Sequence, residues 1–246
     1  MRPLTAQEML DVWERGREAT LTERALLLLG QACSESSRDA LAALPIGCRD
    51  ARLLTLREWA FGRTLSGVTS CPACGQRLDL SFTTDAIRVP QPPTPEAALS
   101  VKVDGYEIVF RLPDSTDLAI LAEEALVDRA EARERLLERC VRGARRNGRK
   151  RAFRQLPARV VDAVVRQMGE ADPQADVYTT VACPSCTYSW QAVFDVVSYF
   201  WSELDSWVHR TLQDVHALAL AYGWREADIL ALSPWRRQCY LQLVQR

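Results

Sequence analysis

Four cysteines form the most chemically explicit pattern in the chain: Cys71-Pro72-Ala73-Cys74-Gly75 and, far downstream, Cys183-Pro184-Ser185-Cys186. A CxxC pair in a tight turn offers two thiolates to one point, and two pairs supply the four ligands of a tetrahedral zinc ion. Zinc held by four thiolates keeps no open position for substrate, so the chemistry is structural. The pattern therefore points to one structural Zn2+ held by Cys71, Cys74, Cys183 and Cys186. A redox dithiol is the competing use of CxxC, but it calls for one pair with a low-pKa cysteine at a helix start. Catalytic zinc commonly takes His or carboxylate ligands, and neither histidine, His209 or His216, is near a knuckle in sequence. The gap is unusual. Residues 75–182, 108 in all, separate the pairs, where an ordinary ribbon has about 15–20.

The flanking sequence shows what must position these thiols. Leu65 onward leads into the first knuckle, and Gln76–Thr83 leaves it with Leu78, Leu80 and Phe82 on one face of a strand. Val177–Ala182 enters the second knuckle and Trp190–Phe194 leaves it, so the ion would join four strand ends. Between the knuckles lies substantial folded chain. Gln91-Pro92-Pro93-Thr94-Pro95 reads as a stiff connector. Asp104-Gly105 between β-rich arms predicts a hairpin with a type I′ turn. One helix is expected from Asp114 to about Arg142, with Leu118, Leu121, Ala125, Leu136, Leu137 and Cys140 on its apolar face. Gly143–Lys150 reads as a loop, and Pro157–Met168 as a helix with Val160, Val161, Val164 and Val165 inside.

Helices dominate both ends. Thr5 and Glu8 make a capping box for a helix to about Arg17. A second runs from about Leu21 to Cys33 with Thr22 as cap. A third region breaks at Pro45-Ile46-Gly47 and resumes from Arg49 to Phe61, with Leu53, Leu56, Trp59 and Ala60 as its inner face and Gly62 as its stop. The longest helix spans Phe194–Tyr222, with Val197, Phe200, Trp201, Leu204, Val208, Leu212, Val215 and Leu218 in its stripe and Gly223 ending it. Glu226–Leu232 and a Ser233-capped helix to Val244 close the chain. The expected fold is α+β: helical amino- and carboxy-terminal regions around a small antiparallel strand region with a split four-cysteine zinc-ribbon-like site. The regions are 1–64 (helical), 65–194 (ribbon-like strands with a helical insertion at 114–168) and 195–246 (helical).

Composition narrows the function. With 246 residues, 48% hydrophobic and 26% charged, the chain has the make-up of a globular protein with a real core. A net charge of -1 argues against a molecule-wide nucleic-acid or anionic-membrane footprint. No run of about 18 apolar residues exists, and runs such as Ala25–Leu29 are far too short to span a bilayer. Met1–Glu8 lacks a signal-peptide pattern, which suggests a reducing cytoplasm where thiols stay free for metal. Cys33, Cys48, Cys140 and Cys239 then read as structural thiols. No phosphate-cradling loop, nucleophile elbow or acid-base pair is present, so no enzyme is expected. Two local features remain. The basic run Arg142–Arg154 could serve a nucleic acid, although glycines break it and no aromatic ladder accompanies it. Among the tryptophans crowding the last quarter, Trp201, Trp207, Trp224 and Trp235 are candidates for partner contact, a role that tryptophan often fills.

A family resemblance draws these pieces together. Gly47-Cys48-Arg49-Asp50, Glu58–Gly62, the first knuckle, Phe110-Arg111-Leu112-Pro113, Leu136–Val141 and Asp172-Pro173 carry it, followed by the second knuckle, Trp190, Phe194-Asp195 and the run Ala221–Pro234. On these the chain resembles the T4-type baseplate hub assembly chaperone-like family of contractile phage tails and contractile injection systems. Thr187 stands where such a knuckle usually carries glycine. The resemblance implies a non-enzymatic part in building or forming a baseplate, with other baseplate and tail-hub proteins as partners and with incorporation in a phage-tail-like particle as one outcome. A zinc-ribbon nucleic-acid-binding protein using residues 142–154 is the alternative from another class.

Overall fold

A computed structural model describes residues 1–89, 99–124 and 128–244. The proline-rich segment 91–95 and Ala125 lie outside the described residues. In chain order, α1 (Ala6–Gly16), α2 (Leu21–Ala32), α3 (Arg38–Ala42) and α4 (Ile46–Phe61) come first. The strands β1 (Thr64–Ser70), β2 (Arg77–Thr83), β3 (Leu99–Val103) and β4 (Tyr106–Phe110) follow. Then come α5 (Ser115–Glu123), α6 (Arg129–Cys140), β5 (Val141–Arg146), β6 (Arg149–Lys150) and α7 (Ala158–Ala171). Last are β7 (Tyr178–Ala182), β8 (Ser189–Val193), α8 (Val196–Tyr222), α9 (Glu226–Leu230) and α10 (Pro234–Val244). Among the described residues the fold is thus a mixture of helices with three small antiparallel sheets, β1-β2, β3-β4-β5-β6 and β7-β8. No helix among the described residues is long and apolar enough to cross a membrane.

The chain divides into two compact units, Met1–Glu35 with Val196–Arg246, and Ser36–Asp195. In the first, α1, α2 and α8 bury Met9, Leu10, Val12, Leu28, Leu29, Phe200, Leu204 and Val208. Thr5 and Glu8 form the expected capping box. The cap of α2 is Thr20 rather than Thr22, because Thr20 is paired with Glu23 in a second reciprocal box. The indole of Trp201 lies on Gly16, where any Cβ would come within 2.2 Å of the ring. Arg24 stacks 4.5 Å over the same ring and donates from Nε to the Gly16 carbonyl. Leu212, expected inside, is exposed, and Thr211 takes the buried place beside it.

In the second unit, the four-stranded sheet turns Tyr106, Ile108, Phe110 and Ala144 onto Leu137 and Cys140 of α6 and Val160, Val164 and Met168 of α7. Asp104 and Gly105 both have positive φ, 49° and 74°, as the predicted turn requires. The single helix expected over 114–142 is two. Asp128 starts α6 afresh by accepting from the Ala130 N–H at 3.0 Å, and at Val141 the chain passes straight from helix into β5. The loop expected over 143–150 is a second hairpin, β5–β6, turning at Asn147 (φ 48°) and Gly148 (φ 80°).

The third helical region also differs from expectation. Gly47 lies inside α4 rather than in a break. The Asp172 carboxylate, from the end of α7, accepts from the Gly47 N–H at 2.9 Å and caps α4 from outside. This helix buries Leu53, Leu54, Leu56 and Arg57, whereas Trp59 is 45% exposed and Ala60 lies in solvent. Gly62 ends it with φ 86°.

Candidate metal centre

The two short hairpins carry the knuckles at their tips. Between β1 and β2, the Cys71 N–H donates to the Gln76 carbonyl and the Gly75 N–H to that of Cys71, both at 2.9 Å. Between β7 and β8 the same bonds recur at 2.9 Å, from the Cys183 N–H to Tyr188 and from the Thr187 N–H to Cys183. The tips are copies of one turn. The left-handed position is Gly75 (φ 73°) in one and Thr187 (φ 60°) in the other. Thr187 adopts it although β-branched, with its hydroxyl donating to the Cys186 carbonyl at 2.7 Å.

The tips meet. Cys71 Sγ is 3.6 Å from Cys186 Sγ, Cys74 Sγ is 3.7 Å from Cys183 Sγ, and all four sulfurs lie within 4.8 Å of one another. Zn–S bonds of about 2.3 Å in a tetrahedron put sulfurs about 3.8 Å apart, so the four thiols fit such an ion. All eight cysteines are free, and the cross-tip separations far exceed the roughly 2.05 Å of a disulfide. Backbone N–H groups are aimed at the sulfurs: Gln76 at Cys74, Tyr188 at Cys186, and Cys186 and Ser185 at Cys183. Burial raises the Cys183 thiol, but those N–H groups and the neighbouring sulfurs of Cys186 and Cys74 bring it down to about 6. For Cys186 the Tyr188 N–H favours the thiolate, yet the adjacent Cys74 sulfur, burial and the other two thiols push it up to about 12. Cys183 ionises most readily, and the thiols of Cys74 and Cys186 beside it are pushed up. Four thiolates at this spacing need the charge of a cation.

Cys71 and Cys183 are buried with Leu78 and Val181, while Leu80, Trp190 and Ala192 are half-covered around them. Cys74 and Cys186 face solvent. The hairpin bases are held by polar groups of which Glu58 belongs to a motif carrying the resemblance, whereas Arg57, Arg88 and Gln174 gave no signal in the sequence. Arg57, 1% exposed, donates from Nη1 to Gly62 and from Nη2 to Thr64, each at 2.7 Å, joining the end of α4 to the start of β1. Glu58 accepts from the Thr84 hydroxyl and from Arg88 Nη2. Gln174 accepts from the Val89 N–H at 2.7 Å and donates to the Ile87 carbonyl. On the other hairpin the Phe194 N–H reaches the Val177 carbonyl, and the Phe194 ring meets Phe82 edge-on at 5.8 Å.

Two buried charge sites complete this unit. Asp117, fully buried, accepts from Arg111 Nη1 and Nη2 at 2.5 and 2.7 Å and from Arg139 Nε at 2.9 Å. Its box with Asp114 starts α5, and a signal for it was visible in Asp114-Ser115-Thr116-Asp117. Asp172 is 3% exposed, and its Oδ1 has no hydrogen-bond partner among the described residues. Burial raises its carboxyl to about 6, against the Gly47 N–H bond and with a small push from Asp50. The short motifs Gly47–Asp50, Phe110–Pro113, Leu136–Val141 and Asp172-Pro173 are therefore places where elements of one unit lock together.

The tryptophans do not form one surface. Trp201 is buried, Trp207 and Trp224 are half-buried, and Trp235 is 80% exposed. Trp224 stacks on Tyr222 at 4.7 Å and meets Tyr240 edge-on at 4.8 Å. His209 and His216 are both exposed, and His209 Nδ1 lies 2.8 Å from the Asp205 carbonyl.

A family model described as T4 bacteriophage base plate protein matches residues 1–201. The matched residues include both knuckles and stop before the run Ala221–Pro234. No curated protein and no solved structure matches the chain.

Proposed function

The chain belongs to the T4 bacteriophage base plate protein family, and from that premise we propose that it is a non-enzymatic structural and assembly protein of a contractile-tail or injection-system baseplate. The family implies other baseplate proteins as partners. We assign tail-hub components among them, met in the cytoplasm while the particle is built. The match over residues 1–201 carries this reading. The cysteine site supports it, since four thiols around one point leave no position for substrate. In this reading the metal is zinc, the ligands are Cys71, Cys74, Cys183 and Cys186, and the site is a split zinc ribbon. Zinc there supplies charge and geometry, while the chain's own N–H groups and the hairpin bases orient the thiolates.

Of the four tryptophans, Trp235, the most exposed, is the one we assign as an anchor for a partner. Co-expression with candidate hub and spike proteins tests the proposal. A stable complex, weakened by Trp235→Ala and unaffected by nuclease, is the expected result. A chain that binds no baseplate protein, and instead elutes with DNA in a salt-dependent way, would replace this reading with the nucleic-acid one.

A further inference from the structure

The four-stranded sheet has two unlike faces. Tyr106, Ile108 and Phe110 point into the core against α6 and α7, so the alternate residues of β4, Glu107 and Val109, must point the other way. Strand register extends that outer face in two rows. Lys102 pairs with Glu107, Glu107 with Arg145, and Arg145 with Lys150, giving one charged row across all four strands. Ser100, Val109 and Gly143 form the next row. Every one of these seven residues is exposed. The charged row holds three cations and one anion, and Glu107 is engaged by Lys102 at 3.4 Å. No described carboxylate pairs with Arg145 or Lys150, nor with the nearby Arg142, Arg149 and Arg151. At the hairpin tips Lys102, Glu107 and Arg145 line a 390 Å³ hollow with Asp104, Asn147 and Gly148.

We propose that this outer face is a docking surface for an acidic segment of a partner protein, its carboxylates lying over Lys102, Arg145 and Lys150. The inference deepens the baseplate reading by naming the chemistry of a neighbour. Charge complementarity selects an anionic occupant in a chain whose overall charge is -1. The apolar and small residues of the second row select protein over nucleic acid. Single strands bind by stacking bases on outward aromatic rings, and here Tyr106 and Phe110 face inward, leaving Val109 and Gly143 at the centre. Neighbouring strands stand about 4.8 Å apart, so the row spans about 14 Å, the length of about four extended residues. Two acidic side chains two positions apart would reach two of its cations.

Amide NMR of the full zinc-loaded chain tests this with a Glu-Val-Glu-Thr-Glu-Val-Glu-Thr peptide and, separately, single- and double-stranded DNA of 20 nucleotides or base pairs. The peptide is expected to shift amides of β3, β4 and β5, less at higher salt, and the K102E/R145E/K150E variant to lose about tenfold or more in affinity. Unchanged amides elsewhere in that variant show that it is folded. Absence of shifts at millimolar peptide, equal binding by the charge-reversed chain, or DNA displacing the peptide from the same amides would each overturn the proposal. No baseplate protein enters this test, so its failure and a failure to bind hub components are separately visible.

Discussion

Replacing Cys183 with serine removes one of four sulfurs and puts a harder, rarely ionised oxygen in its place. The hairpins have little else at their tips. Beyond the cysteines, the buried apolar side chains there are Leu78 and Val181, with Leu80, Trp190 and Ala192 half-covered beside them, and the two buried ones are worth about 3–6 kcal/mol together. Isolated two-stranded hairpins are marginal in water, whereas a structural zinc contributes on the order of 10–16 kcal/mol of apparent binding energy. On the zinc reading, an ion bound there would supply most of what holds the tips together, and Cys183→Ser should release them without unfolding the rest. Hydrogen exchange resolves this segment by segment. Amides of β1, β2, β7 and β8 should lose about 100-fold or more in protection. Those of α1, α2 and α8, in the other unit, should keep theirs. The bases pinned by Arg57 and Gln174 should lose less than the knuckle ends. Hairpin amides that exchange as slowly in the variant as in the parent would refute the argument that a metal clamps these strands.

The remaining predictions concern backbone and buried charge in the same unit. Gly47→Ala places a Cβ 1.8 Å from Asp172 Oδ1 and 2.9 Å from the Ala175 nitrogen, so a loss of about 2–4 kcal/mol in denaturant unfolding is expected. Asp172, held at about 6 when folded against about 3.9 in an unfolded chain, ionises first in the unfolded state. Its contribution to stability therefore falls as pH rises from about 4 to 6. In Asp172→Asn that part of the stability–pH curve should flatten, and an unchanged slope would exclude Asp172 as its source. Thr187→Gly relieves a β-branched residue at φ 60° and should raise stability, or slow zinc loss to a chelator, by about 1 kcal/mol. A fall in stability would mean that the hydroxyl bond to the Cys186 carbonyl outweighs the strain.

The sequence shows the thiols well because ligand type and spacing are local: each knuckle is complete within four residues. It shows Asp104-Gly105 for the same reason. Asn147-Gly148 was as clear a turn signal, but the surrounding arginines masked the strands, since charged side chains on an open sheet face read as loop. The break between α5 and α6 was obscured because the apolar pattern continues through it, while the restart depends on one cap, Asp128. Gly47 looked like a helix breaker beside Pro45. What keeps it helical is a carboxylate 125 residues away, which no local pattern reveals. Trp201 and Trp235 differ in the same way. One packs on Gly16 and the other stands in solvent, a difference set by tertiary neighbours rather than residue type.

The central claim, that a baseplate-family chain joins two distant hairpins through one four-thiolate zinc, is tested most directly by native mass spectrometry of the protein purified without added metal. The account predicts the mass of one chain plus one zinc ion, less the protons that the thiols release. A folded chain at its metal-free mass, or two mass units lighter through a Cys71–Cys74 disulfide, would contradict it.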